Sequence, residues 1–162
     1  MRKISGKRRE SRGSRVDSDS RDSMQIVTEN IQVSTRGNSK PVDITESVAD
    51  VLRNSGLSRG QALVFAPGAT AGITTIEFEP GLVHDFPEML ERIAPADIPY
   101  QHDGTWGDGN GHGHVRASLI GASLTVPFKD SQLLLGTWQQ IVLVDCDNRP
   151  RKRSIVVQLI GE

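Results

Sequence analysis

From His114 to the C-terminus the sequence is three β-rich runs in succession, HVRASLIGASLTVPF, QLLLGTWQQIVLVDCD and KRSIVVQLIGE, joined by the turns KDS and DNRPR. Connections this short suit antiparallel strands, because a parallel crossover needs about a dozen residues or more. Upstream, MQIVTENIQVST alternates well enough for a strand, and QALVFAPGATAGITTIEFE places two further β-rich runs around a Pro-Gly turn. Only two segments carry the helical period. DITESVADVLRNSG puts Ile44, Val48, Val51 and Leu52 on one face, with Asp43 and Glu46 spaced as a capping box and Gly56 placed to end the helix. GLVHDFPEMLERIAP spaces Val83, Phe86, Leu90 and Ile93 as a buried stripe; Asp85 with Glu88 reads as its cap, and Pro87 must lie in the first turn or kink the helix. The expected class is therefore α+β, a mainly antiparallel sheet with two helices, and 162 residues suffice for one domain.

Charge is unevenly spread. Residues 1–23 carry eight Lys or Arg against four acids and almost nothing apolar, leaving residues 24–162 with a net charge of −5 in a chain whose total is −1. The first segment reads as a disordered basic arm, because it cannot bury enough surface to offset ordering entropy. Residues 24–162 read as the folded domain, and its acidity argues against a specific nucleic-acid interface. A single cysteine, Cys146, excludes an internal disulfide and is expected to be structural, while Trp138 is expected to pack. No apolar run is long enough for a signal or membrane segment, so the expectation is a cytoplasmic protein.

The chemistry concentrates in YQHDGTWGDGNGHGHVRASLIG, which holds three of the four histidines within thirteen residues. Read as extended chain, His112 and His114 share a face, and His102, Asp103 or Asp108 completes a metal-ligand set. The interspersed glycines equally suit an anion held by backbone N–H groups, or a mobile loop with hydrogen-bonded imidazoles. Arg116 falls on the same face of the expected strand, where its fork suits a phosphate or carboxylate. The chain has no dinucleotide fingerprint, phosphate-binding Walker loop, nucleophile elbow or paired cysteines. What remains is a His, Asp, Glu and Arg constellation without a nucleophile, pointing to metal-assisted chemistry or to a small anionic ligand.

Read together, YQHD, Asn110, HVRASLIGASLTVP, LLLGTWQQIVL and the final LIGE resemble, in order and spacing, the YjbQ family, also described as secondary thiamine-phosphate synthases. TAGITTIEFEP and VHDFPEMLERIAP extend the resemblance upstream, with Glu77 and Asp85 at matching positions. The resemblance implies a small α+β domain that assembles as a homotrimer around a histidine-rich cleft for metal or anion. It further implies an ability to join a pyrimidine diphosphate to a thiazole phosphate. On this reading His102, His112 and His114 hold a divalent metal, zinc or magnesium, Glu77 and Asp103 act as acid, base or metal-linked carboxylates, and Arg116 receives phosphate. A non-catalytic trimer binding metal or a phosphorylated metabolite would use the same residues.

The family's usual histidine before its T-A-S segment is missing here, where PGATAG places Ala69 or a near neighbour. His112 is then expected to supply the absent imidazole from the other side of the site.

Overall fold

The computed structural model describes residues 23–162, so the basic arm lies outside the described residues except for its last position. Twelve elements follow one another: β1 (Gln25–Ser34), β2 (Lys40–Asp43), α1 (Thr45–Ser55), β3 (Arg59–Phe65), β4 (Ala71–Ile76), α2 (Pro80–Ile93), α3 (Gln101–Trp106), α4 (Gly111–Ile120), β5 (Ser123–Lys129), β6 (Gln132–Leu133), β7 (Gln140–Asp145) and β8 (Lys152–Gly161). Strands pair in two sheets, β1-β8-β3-β5-β6 and β2-β7-β4, and all the pairings are antiparallel. The expected class holds. Two helices were expected, and four are present among the described residues.

The layering follows from β7. Ile141 and Leu143 point into the core between the sheets, where they meet Val64, Val126, Val157 and Leu159, together with Val48 and Leu52 of α1. Val142, Val144 and the following Cys146 point the other way, against Leu90 of α2 and the partly buried Leu82, Phe86 and Ile120. A strand buried on both faces is apolar at successive positions rather than at alternate ones, as IVLV is here. The run expected as one strand from Gln132 is broken at residues 134–139. Its first two residues pair with β5, and its second half becomes the centre of the other sheet.

Local signals mostly act where they stand, with different partners. Gly56 ends α1 at φ 74, a left-handed conformation that glycine adopts without Cβ strain. The N-cap position falls on Ile44 rather than Asp43, which accepts the Thr45 N–H at 2.9 Å from one residue earlier, while Glu46 turns to Arg53 instead of closing a box. In α2 the cap is Glu79 rather than Asp85. Its carboxylate accepts the N–H groups of Gly81 and Leu82, so the helix begins at Pro80 and Pro87 sits in its interior. Asp85 lies beside His84 on the surface, Nδ1 to Oδ1 3.3 Å. Of the expected stripe on α2, only Leu90 is fully buried, and Ile93 is 58 % exposed. Trp138 does not pack; it is 71 % exposed in the loop before β7.

Candidate metal centre

The glycine-rich segment is helical. α3 and α4 flank the turn at 107–110, and the helix from Gly111 to Ile120 replaces the strand expected from His114 onward. Successive residues of a helix are rotated by about 100°, so positions two apart face opposite ways and positions four apart share a face. His112 and Arg116 therefore turn inward together, and His114 turns outward toward α3.

The outward side gathers a cluster. The rings of His102 and His114 stand 4.1 Å apart between centroids. Nε2 of His102 is 3.9 Å from Oδ1 of Asp108. One ligand atom from each of His102, Asp108 and His114 lies within 4.8 Å of the others. Both histidines are half-buried and Asp108 is exposed, so the cluster is open on one side. Two imidazoles and one carboxylate converging at this spacing form a donor set that fits a divalent ion of the zinc type and leaves a coordination position free.

The turn that carries Asp108 is held from a distance. Nδ2 of Asn148 donates to the Asp108 carbonyl at 2.9 Å, and the Asn148 N–H donates to Oδ1 of Asn110 at 3.2 Å. Asp103 caps the second helix, accepting the Gly111 N–H at 2.9 Å. Gly113 is where α4 meets the end of β7: a Cβ there would lie 2.5 Å from the Cys146 carbonyl oxygen and 2.6 Å from Oδ1 of Asn110. Asn148 was not legible as a site residue, since only an ordinary DNRP turn marks it in the sequence.

Besides Asp103, three of the expected site residues stand outside the cluster. His112 is 4 % exposed, its ring 6.4 Å from that of Tyr100, and its Nδ1 has no hydrogen-bond partner. Burial first, and then the Arg116 charge, hold this imidazole's pKa below the usual histidine value. It is absent from the ligand cluster, so the expected replacement of the histidine missing near Ala69 does not hold. Arg116 is 3 % exposed and its fork is occupied. Nε and Nη2 donate to the Ala94 carbonyl at 2.9 and 2.8 Å, Nη1 donates to Oγ of Ser39 at 3.2 Å, and Nη2 also reaches Glu91. It clamps the end of α2 to α4 and presents no fork to a ligand. The Glu91 carboxyl is held below its ordinary range by the Ala96 N–H first and by Arg116 second. Glu77 is exposed just past the end of β4, and the cluster adjoins that strand's opposite end at Ala71. At roughly 3.4 Å per residue, the length of β4 puts about 20 Å between Glu77 and that end.

Cys146 is fully buried and its thiol is pushed up to about 11 by burial, consistent with a structural role. No helix among the described residues is long and apolar enough to cross a membrane.

Known proteins share this architecture and much of the sequence. A family model described as UPF0047 protein YjbQ-like matches residues 29–162. A UPF0047 protein of Methanothermobacter thermautotrophicus is 37% identical over 139 residues, covering 86% of this chain and 95% of that one. The UPF0047 protein YugU of Bacillus subtilis is 34% identical over 133 residues, covering 81% and 97%. A crystal structure from Sulfolobus solfataricus P2, of a protein described as YbjQ-like and of unknown function, superposes with a TM-score of 0.81 at 33% identity, covering 86% of this chain and 100% of the other.

Proposed function

The chain belongs to the YjbQ-like UPF0047 family, and on that premise we propose that it is a divalent-metal protein whose His102, Asp108 and His114 hold the ion and present it to a small phosphorylated molecule. The observation that carries this reading is the convergence of three ligand atoms within 4.8 Å of one another, at the open side of α3 and α4. Imidazole donors favour zinc over magnesium, which prefers oxygen ligands and retains its waters. When bound, the ion would neutralise phosphate charge, which Arg116 is not free to do.

In its catalytic form this reading makes the protein a transferase joining a pyrimidine diphosphate to a thiazole phosphate. Such a reaction asks the protein mainly to orient two ligands and offset their charge. The second reading is binding without turnover. It is favoured by the position of Glu77, away from the cluster, and by the role of Asp103 as a helix cap, which together leave the cluster without an evident free base. The assembly that goes with either reading is a homotrimer, supported by the apolar side chains of Met89, Ile93, Val115 and Leu119, which α2 and α4 leave uncovered.

Metal analysis of untagged protein tests the reading. Near-stoichiometric zinc, lost in His102→Ala and His114→Ala, supports it; the same low metal content in wild type and variants refutes it. Incubating the zinc form with the two thiamine precursors then separates transferase from binder, and sedimentation equilibrium reports the trimer.

A further inference from the structure

A cleft of about 380 Å³ opens directly beside the cluster, lined by Gly68, Ala69, Ala71, His114, Ala117, Ser118, Gly121 and Ala122. His114 belongs to both the cluster and the cleft wall, so a molecule seated in the cleft lies next to the open side of the metal site. Two features decide what such a molecule is. The first is charge. None of the described residues lining the cleft is Lys, Arg, Asp or Glu, and the one hydroxyl, Ser118 Oγ, donates to the Val115 carbonyl at 2.8 Å. Arg153 approaches Gly68, its Nη1 lying 3.5 Å from where a Cβ there would stand, but its charge is balanced by Asp145, to which Nε and Nη2 donate, and Nη2 also donates to Thr70. The second is size. Apart from His114 and Ser118, every lining side chain is a single methyl or none, so backbone and methyl groups form most of the wall and leave room for a few carbons; the volume is near the lower end of the range of about 300–1,000 Å³ usual for small-molecule pockets.

We propose that this cleft is the subsite for the uncharged carbon body of a ligand whose oxyanionic end is held at the His102, Asp108 and His114 centre, with Ala69 and Ser118 setting the size of body admitted. The inference rests on the metal reading above and names the ligand class that site selects: a compact, uncharged group of a few carbons with a single phosphate-like or carboxylate-like end. With Arg153 paired to Asp145, the wall carries no unbalanced charge to compensate a second ionic end, so a molecule charged at both ends binds more weakly than one with an uncharged body. Each carbon that leaves water for such a wall tightens binding by up to about fourfold.

The test uses the full chain loaded with Co(II), whose visible absorption reports coordination. Inorganic phosphate, methylphosphonate and butylphosphonate are titrated in turn, first into wild type and then into Ala69→Leu and Ser118→Leu, both exposed positions where a larger side chain narrows the cleft without entering the core. The expected result is affinity rising from phosphate to butylphosphonate by tenfold or more in wild type. That gain should fall to less than threefold in the leucine variants, whose cobalt band and phosphate affinity stay unchanged. Equal affinity for all three probes in wild type overturns the inference and leaves the metal site standing, as does a chain-length gain that the leucine variants retain. A cobalt band that is missing, or that survives His102→Ala with His114→Ala, removes the metal reading and the inference together.

Discussion

Arg153 of β8 grips Asp145 of β7 with both arms of its guanidinium, Nε to Oδ2 at 2.8 Å and Nη2 to Oδ1 at 2.6 Å. The two strands belong to different sheets, so this pair ties the five-stranded sheet to the three-stranded one. Asp145 is fully buried and also accepts the Thr35 hydroxyl at 2.6 Å and the Asp147 N–H at 3.1 Å. Its lone pairs are well used, which is the condition under which a buried ion pair holds its place.

Asp145→Asn should therefore destabilise the fold by about 3 kcal/mol, since it leaves the Arg153 charge buried without its full partner. The measurement is the urea midpoint with an unchanged slope. A shift of less than about 1 kcal/mol would mean that the 3.5 Å contact with Asp147 is enough to hold Arg153.

The same carboxylate predicts how stability responds to acid. Burial alone would raise its pKa, but the bonds from Arg153, Thr35 and the Asp147 N–H outweigh that, and the net shift is downward. A group depressed in the folded state binds more protons when unfolded. Its contribution is thus fully present above the unfolded value of about 3.9 and is lost as pH falls through the lower folded value. The stability difference between wild type and Asp145→Asn should stay constant from pH 7 to 5 and shrink below about pH 4. A difference that shrinks already near pH 6 would contradict the assignment.

Arg116→Lys should cost about 2 kcal/mol, because an ammonium cannot reproduce the planar fork that serves Ala94, Ser39 and Glu91 at once. Affinity for zinc and for phosphate on the zinc form should be unchanged. A tenfold loss of phosphate affinity with stability intact would restore Arg116 to the ligand site.

At Gly113 two effects compete. Alanine gains about 1 kcal/mol of helix propensity over glycine. Its Cβ, however, would stand 2.5 Å from the backbone carbonyl of Cys146, which cannot swing aside as a flexible side chain can. Overpacking of this kind costs about 1–3 kcal/mol, so Gly113→Ala should be net destabilising and should loosen the α4 seat on β7. A raised thermal midpoint would show that the helix can slide away at little cost.

His112 and His114 should separate cleanly in a metal titration. His114→Leu is expected to abolish zinc binding. His112→Leu should retain it and match or exceed wild-type stability by up to about 1 kcal/mol, because it removes a buried nitrogen that has no partner. Calorimetric titration of both variants, with urea unfolding alongside, decides the matter.

The β-rich character of residues 123–129, 140–145 and 152–161, the helix carrying Val48 and Leu52, and the family resemblance were legible in the sequence, because apolar patterning, the helical period and residue order are local properties. So was the concentration of His102, Asp103, Asp108, His112 and His114 in one segment. The arrangement inside that segment was not. Glycines at 111 and 113 lower local helix propensity, and HVRASLIGASLTVPF reads equally as strand until something distant chooses. The choice is made just past the end of β7, where the Cys146 carbonyl packs so close to Gly113 that no Cβ fits between them and Asn148 fastens the 108–110 turn. The sequence by itself determined which residue types are available to bind a metal. The tertiary structure decided that the chain between them is helical, which sends His112 and Arg116 into the interior and brings His114 to His102 and Asp108.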